Sequence, residues 1–275
     1  MKRFSYSLTL VLGLLALSCA KQPTVDDVVQ KQVQTQGGAA ALAAITDQVS
    51  KWEAKFLIPM GDSMVTATVD MIITYKRPNK IKFEMFNPDG STASATVFDG
   101  AQGWQYMMGQ GVREMVQSEM DENHALAETW IEGWHDYAAK GIKLELLPDT
   151  TLVEKLLKVL RSTDRFGNVS LNYCDPQTGL VERMESNMTD PTSMTKIPSV
   201  MAFENYTSFA GFMSAGTFKQ YDQSGTLMFE AILKELQNNA SVADEAFAAP
   251  APEEAAPADD AEEEEESAPE DEAQM

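Results

Sequence analysis

The side chains that could perform acid–base or nucleophilic chemistry are few and widely spaced. His124 and His135 are the only histidines. A helix through both places them about 16 Å apart, at a rise of about 1.5 Å per residue, which is too far to share a metal ion. Glu132 and His135 have the Glu-x-x-His spacing of di-iron helices, but no second pair accompanies them. Cys174 precedes a predicted turn, where a buried thiol is the ordinary state. The sequence therefore predicts neither catalysis nor a metal site, and no cofactor.

The charge of the chain is strongly acidic and unevenly distributed. The net charge is −21, and residues 248–275 contribute twelve acidic side chains and no basic one. This balance argues against nucleic-acid binding, because no basic surplus exists to displace counterions from phosphates. Segment 248–275 is rich in Ala, Pro and Glu and has no aromatic residue, which predicts a disordered acidic tail. The tail is either simply solvated or a weak contact for a cation or for a basic protein partner.

The first residues have the pattern of a bacterial lipoprotein signal. Lys2 and Arg3 precede an apolar run of about ten residues, half of what a membrane-spanning helix needs. The run ends at Cys19 after a Leu-Ala-Leu-Ser sequence, which resembles a lipobox whose usual Leu is replaced by Ala. An ordinary cleaved signal is the alternative.

These features predict a signal peptide over residues 1–18 and a lipidated tether over residues 19–24. Acylated Cys19 would then be the membrane anchor, held by at least two acyl chains. Ala20 follows the cysteine where Asp would favour inner-membrane retention in the sorting rules that a lipobox implies. The expected location is the outer membrane of a bacterial cell envelope, facing the periplasm.

Hydrophobic periodicity predicts short helices followed by an antiparallel meander. Thr24 and Asp27 have the spacing of a capping box at the start of the first helix. Residues 64–75 alternate apolar and polar side chains as a half-buried strand does, and residues 80–85 repeat the pattern after a turn. About ten strands are predicted in all, joined by tight turns, which indicates a mainly β (α+β) fold.

One longer helix is predicted between the strands. Asp121 is a candidate N-cap, and the apolar residues that follow recur at spacings of four, four and three. This stripe consists of Leu126, Trp130, Trp134 and Tyr137.

Several short motifs follow one another in a fixed order along the predicted domain. In chain order they are Gly37-Gly38 with Ala41-Leu42 and Ile45, the run Tyr75 to Lys80, Phe98-Asp99-Gly100 with Gly103-Trp104, Asp175-Pro176 with Thr178-Gly179-Leu180, the run Phe203 to Tyr206, and Asn238-Asn239 with Phe247. Most are turn residues, and their order resembles that of the LolA-like family of periplasmic lipoprotein-carrier domains. The resemblance covers residues 25–247, the predicted LolA-like domain.

The resemblance implies a fold and a type of site. The fold is a strongly curved antiparallel sheet, an unclosed half-barrel covered by about three helices. An apolar cavity between sheet and helices would hold acyl chains. The soluble carrier of the family has no lipid anchor, whereas its receptor has one, so the predicted lipobox makes this chain receptor-like in its attachment.

Apolar and aromatic side chains of the predicted elements are candidates for lining that cavity. Methionine is flexible and suits an irregular, chain-like ligand, and the chain has 16 of them. The candidates are Trp52, Val69, Met71, Ile73, Ile81, Phe83, Met85, Trp104, Met107, Leu126, Trp130 and Trp134. The same side chains could instead fill a solid core, and the sequence does not separate a hollow core from a filled one.

Two functions follow from these expectations. The first is an outer-membrane-anchored lipoprotein that binds an acyl chain, a lipid or an acylated protein in an apolar cavity, in lipoprotein sorting or lipid handling. The alternative is a non-catalytic structural or adaptor protein of the envelope, with the same fold and a filled core.

Overall fold

The structure is a computed structural model that describes residues 23–61, 63–189, 193 and 195–251. The predicted signal peptide, Cys19 and the acidic tail from residue 252 onwards lie outside the described residues. Within the described part of the chain, no helix is both long enough and apolar enough to span a membrane.

Three α-helices and one short 3-10 helix are present among the described residues. They are α1 (Val25–Thr35), α2 (Ala39–Ala43), α3 (Gln117–Thr129) and the 3-10 helix Asp244–Phe247. The capping box that was predicted for the first helix is present. The Asp27 amide donates to Thr24 Oγ1, and the Thr24 amide donates to Asp27 Oδ2 at 2.7 Å.

The described strands form one large sheet and one small hairpin. The large sheet contains β1 (Asp47–Met60), β2 (Ser63–Lys76), β3 (Lys80–Phe86), β4 (Thr92–Phe98), β5 (Gly103–Met107), β6 (Gly111–Glu114), β7 (Lys143–Leu152), β8 (Lys155–Thr163), β9 (Val169–Cys174), β10 (Val181–Thr189), β11 (Lys196–Glu204), β14 (Thr217–Tyr221) and β15 (Leu227–Asn238). The small hairpin contains β12 (Thr207–Phe209) and β13 (Phe212–Ser214).

The large sheet is antiparallel and unclosed. Its strand order is β6-β5-β4-β3-β2-β1-β15-β14-β11-β10-β9-β8-β7, and β6 and β7 are its two edges. Two meanders therefore meet at its centre, where the first strand pairs with the last, with Trp52 opposite Leu233. The predicted mainly β, unclosed antiparallel fold is confirmed, and the thirteen strands of this sheet exceed the ten or so expected.

The central strand β1 is absent from the sequence-based prediction, which begins its first strand at Met64. Its pattern was nevertheless visible, because Trp52, Ala54 and Phe56 alternate with Lys51 and Glu53. The strand continues through Pro59, a residue that sheets tolerate where its missing N–H faces a free edge.

The predicted boundaries of the longer helix are wrong. Helix α3 begins after Val116, four residues before Asp121, because the Glu119 carboxylate accepts the Val116 amide at 3.0 Å and caps the helix there. It ends at Thr129, and successive turns follow as far as Gly141. Gly133 adopts a φ of 52° in these turns, so the predicted stripe does not lie on a single helix.

Helix α1 sits directly on the turn between β9 and β10. A Cβ added to Gly179 would lie 2.6 Å from the carbonyl oxygen of Val28 and from the amide nitrogen of Gln32. The Thr35 hydroxyl donates to the Thr178 carbonyl at 2.8 Å. The turn can approach the helix backbone this closely only because residue 179 has no side chain.

Candidate functional site

The register of the central strands aligns apolar side chains on the concave face of the sheet. Trp52 of β1 lies opposite Met71 of β2, and two residues later Ala54 lies opposite Val69. Phe56 lies opposite Phe229 of β15. Because strand side chains alternate between faces, these positions share one surface, and that surface continues from one end of the strands to the other.

One end of the concave face, which we call the closed end, is filled. Trp52, Ile81 and Phe98 are no more than 2% exposed there. Trp52 stacks on Phe218 with ring centroids 4.6 Å apart, and Phe83 meets Trp130 edge-on at 6.0 Å. Helices α1 and α2 and the turns after α3 supply the rest of this core, chiefly through Val28, Val29, Val33, Leu42, Ile131 and Trp134.

The opposite end of the concave face contains an apolar groove, which we call the open-end groove. It has a volume of about 380 Å³. The Phe56 and Phe229 rings form part of its wall, 5.0 Å apart and tilted by 56°. Its lining residues are Phe56, Leu57, Ile58, Met85, Gln220, Met228 and Phe229.

Among the described residues that line the open-end groove, none has an ionisable side chain. Its single polar side chain, Gln220, is already engaged, because its Nε2 donates to Met188 Sδ at 3.1 Å and to Ser199 Oγ at 3.4 Å. The groove therefore presents hydrocarbon, aromatic rings and thioether to a ligand. Such a lining favours an alkyl chain and provides no group for acid–base or nucleophilic chemistry.

Beyond the groove, β1 and β2 project past their neighbours as a two-stranded arm. Pairing of β1 with β15 ends at Phe56, and pairing of β2 with β3 ends at Asp70. We define the β1–β2 arm as residues 57–60 and 63–69. Four large apolar side chains of the arm are exposed, namely Ile58, Met60, Met64 and Val65.

Helix α3 crosses the concave side and is held by ion pairs that its first two turns make with strands on either side. At its start, the nearly buried Glu119 carboxylate accepts from Arg113 of β6 at 2.7 Å and from Gln105 of β5 at 3.1 Å. The Arg113 hydrogen bond keeps the pKa of Glu119 below its ordinary value, against the effect of burial. Further along, Glu122 contacts Thr189 and Lys196 of the β10–β11 hairpin.

His124 lies between two rings below helix α3. Its imidazole is 5.5 Å from the Phe98 ring and 5.6 Å from the Phe166 ring, and it contacts the Arg165 guanidinium. Burial lowers the pKa of His124, and the positive Arg165 lowers it further, although Glu128 opposes them. The imidazole is therefore neutral at pH 7 and joins the helix to the β8–β9 loop.

The other groups with potential reactivity are unsuited to it. Cys174 is fully buried, and burial raises the pKa of its thiol to about 12, so the thiolate is negligible at neutral pH. Burial likewise raises the pKa of Tyr75 to about 12. In the described part of the chain, no group of three or more His, Cys, Asp or Glu residues is placed to hold a metal ion.

The predicted cavity residues are distributed over several environments. Trp52, Met71, Ile73 and Ile81 are buried at the closed end, with Val69, Phe83, Met85 and Trp130 packed against them. Trp134 belongs to the core beneath helix α1. Met107 and Leu126 are exposed. Of the twelve, Met85 alone lines the open-end groove.

Trp104 lies on the other face of the sheet. It packs with Ala95, Val97 and Tyr106 around Phe247 of the 3-10 helix. The sequence suggested no face for it because β5 is short, and the segment that covers the convex face there comes from the C-terminal end of the described residues. Trp104 is therefore removed from the candidate set.

Six of the groove residues were missed by the sequence analysis. Phe56, Leu57 and Ile58 lie on β1, the strand that was not predicted. Their signal was the alternation that begins at Trp52. Gln220, Met228 and Phe229 lie on strands that were predicted, but the pairings of β1 with β15 and of β15 with β14 are needed to bring them beside Phe56.

Comparison with known proteins supports the fold and not a sequence relationship. No family model matches the chain, and no curated protein matches it. A DUF1329 family protein from Desulfovibrio piger is similar in structure, with a TM-score of 0.55 and 10% identity, over 82% of this chain and 97% of that one.

Two further solved structures are similar to the structure of this chain. A LolA superfamily protein from Nitrosomonas europaea has a TM-score of 0.55 and 13% identity, over 82% of this chain and 98% of that one. An outer membrane lipoprotein-sorting protein domain from Vibrio parahaemolyticus has a TM-score of 0.52 and 15% identity, over 80% of this chain and 97% of that one. The expected fold is confirmed: the chain has the LolA-like fold over most of its length.

Proposed function

We propose that this protein is a non-catalytic, periplasm-facing lipoprotein that binds an acyl chain of a lipid or of an acylated protein in its open-end groove. The observation that carries the proposal is an apolar groove at the unfilled end of a LolA-like half-barrel, whose described lining residues include no ionisable side chain. The similarity to a lipoprotein-sorting domain supports a role in lipoprotein sorting or lipid handling.

The size of the groove limits its cargo. A volume of about 380 Å³ lies at the lower end of the range of about 300–1,000 Å³ that is usual for ligand pockets. Each methylene that leaves water contributes about 0.8 kcal/mol, so eight to ten buried methylenes contribute about 6–8 kcal/mol, from which the cost of association is subtracted. The groove therefore matches one alkyl chain better than several, and we expect its affinity for that chain to be modest.

The proposed attachment places the groove near its cargo. Acylated Cys19 would hold the protein at the outer membrane, and residues 19–24 would form a short tether to helix α1. The acidic segment 248–275, which follows Phe247 in the sequence, would provide a contact for a protein partner.

Titration with a fluorescent fatty acid tests the proposal. The full chain with Cys19→Ser should take up the probe saturably with one site. Met85→Asp places a charge in the groove and should weaken uptake at least tenfold. Met107→Asp is the matched control, because Met107 is exposed and does not line the groove, and it should leave uptake unchanged. Equal uptake by both variants would refute this site.

The filled closed end favours a second candidate, an adaptor protein of the envelope. Trp52, Ile81 and Phe98 leave no room for a ligand there, and a shallow groove alone does not require lipid cargo. If the fatty-acid probe does not bind, a pulldown with and without residues 252–275 identifies partners of the tail. The adaptor function then requires a partner that is lost with the tail or with the β1–β2 arm.

A further inference from the structure

The outer edge of β2 in the β1–β2 arm is an open strand edge. Strand β3 stops pairing at Phe86, opposite Asp70, so residues 63–69 have β1 on one side only. Among the described residues, no other backbone group donates to or accepts from the main chain of this segment. Seven consecutive residues therefore present an unpaired edge.

The phase of the ladder shows which groups face outwards. The Arg77 amide donates to the Thr46 carbonyl at 2.9 Å, and the register between β1 and β2 runs from there to Met60 and Ser63 without a bulge. In an antiparallel ladder, hydrogen-bonded pairs alternate with non-hydrogen-bonded pairs. Because Arg77 bonds to Thr46, the odd-numbered residues of β2 are the ones that bond to β1. The even-numbered residues Met64, Thr66 and Thr68 then direct their N–H and C=O groups to the free edge.

The two terminal edge strands of the sheet, β6 and β7, are protected against an added strand. Strand β6 has only four residues, two of them charged. Strand β7 contains Pro148 and Asp149 and has an irregular register between Leu147 and Thr150. On the opposite edge of the arm, Pro59 has no N–H to donate. Residues 63–69 contain no charge, no Pro and no bulge.

We propose that the β2 edge of the arm binds an extended segment of another protein as an added antiparallel strand. Such a segment would bond through its main chain to Met64, Thr66 and Thr68. Its inward side chains would continue the concave row of Val65, Ala67 and Val69 and would be small and apolar. Its outward side chains would be polar, like Thr66 and Thr68.

Charge determines the kind of partner. Asp70 ends the free edge, is exposed and has no ion pair among the described residues, and the chain carries a net charge of −21. A second copy would bring a second Asp70 and the same net charge to the edge, which opposes self-pairing. A segment with a Lys or Arg next to its strand complements this edge, so the proposed partner is a different, basic-flanked chain.

The test uses the full chain with Cys19→Ser and a labelled nonapeptide in which valine and threonine alternate between terminal lysines. Fluorescence anisotropy should show saturable binding. N-methylation of the threonines should weaken binding at least tenfold, because their amides would face the arm. N-methylation of the valines is the matched control and should change binding less than threefold, because those amides face away.

Substitutions in β2 test the same contact through the protein instead of the peptide. Thr66→Pro removes an outward N–H but no bond to β1, and should weaken peptide binding at least tenfold, whereas Thr66→Val keeps the N–H and should bind normally. Should Thr66→Pro fail to fold, the methylated peptides on the unaltered arm decide the question. Asp70→Asn should weaken binding about threefold at low salt.

Three results would overturn the proposal. The first is peptide binding that N-methylation of the threonines does not weaken. The second is a concentration-dependent dimer of this chain that Thr66→Pro abolishes. The third is binding to phosphatidylglycerol vesicles without binding to the peptide. The second would assign the edge to self-pairing and the third to a lipid surface. The fatty-acid titration of the groove is independent of all three.

Discussion

The closed and open ends of the half-barrel share the same strands and differ in what covers them. At the closed end, helices and aromatic side chains fill the concave face, and Ile81 is fully buried. At the open end, Phe56 and Phe229 face a groove, and Ile58 beyond them is 46% exposed. Buried packing is therefore concentrated at one end of β1, and an accessible apolar surface lies at the other. Substitutions along this strand should change stability at one end and ligand binding at the other.

The largest effect is expected for Trp52→Ala at the closed end. Trp52 is 2% exposed, stacks on Phe218 and donates from Nε1 to Ser50 Oγ at 2.8 Å. Its removal leaves a cavity and should lower the free energy of unfolding by about 3–5 kcal/mol. Urea denaturation measures this change. A loss below about 1 kcal/mol would mean that the closed end is not the stabilising core.

The next effect is expected where helix α1 meets the β9–β10 turn. Gly179 has a φ of 73°, and a Cβ added there would lie 2.6 Å from backbone atoms of α1. Gly179→Ala should therefore lower the free energy of unfolding by about 2–4 kcal/mol. Gly225→Ala is the control, since Gly225 has a φ of 83° but open space around its Cβ position, and should cost only about 1 kcal/mol. If thermal unfolding shows the same loss of stability for both variants, the close approach of the turn to α1 does not contribute to stability.

The same turn should make the stability of the closed end depend on pH. Burial opposes ionisation of Asp175, but the Lys155 ammonium and the amides of Thr178 and Gln177 hold its pKa at about 2. Since the pKa in the folded state is depressed, the stabilisation is present above pH 4 and is lost as the pH falls towards 2. Asp175→Asn should cost about 1–2 kcal/mol at pH 7 and progressively less in acid. A pH-independent difference between the two proteins would contradict this assignment.

The smallest change in stability, with a clear change in binding, is expected at the open end. Phe229→Ala removes one groove wall and should weaken fatty-acid binding about five- to tenfold. Phe229 is half-buried, so its loss should lower the free energy of unfolding by about 1–2 kcal/mol, which is less than for Trp52→Ala. If Phe229→Ala destabilised the fold as strongly as Trp52→Ala, the two ends would not be separable.

The fold was more predictable than the site because it depends on local patterns. Alternation in residues 64–75 and the capping box at Thr24 determine their elements from nearby residues alone. The first and last strands pair across nearly two hundred residues, from Gln48 to Asn238, and no local pattern indicates that pairing. The groove depends on it, so Phe229 could not be placed beside Phe56 from the sequence.

Helix α3 shows the same limit on a smaller scale. The sequence predicted the helix but placed its start at Asp121, because Asp is a good N-cap. The actual start is set by Glu119, whose partner Arg113 comes from β6. A tertiary ion pair thus overrode the local signal, and apolar spacing alone extended the predicted helix beyond Thr129.

Native mass spectrometry tests the central claim, that the open end holds an acyl chain, most directly. The Cys19→Ser chain, exported and released gently from the periplasm, should carry one lipid-sized adduct per molecule that organic extraction removes. Met85→Asp should emerge without the adduct, and Met107→Asp should retain it. If the Cys19→Ser chain with an unaltered groove carries no adduct, either as released or after incubation with phospholipid, the result would contradict lipid binding and favour a protein partner.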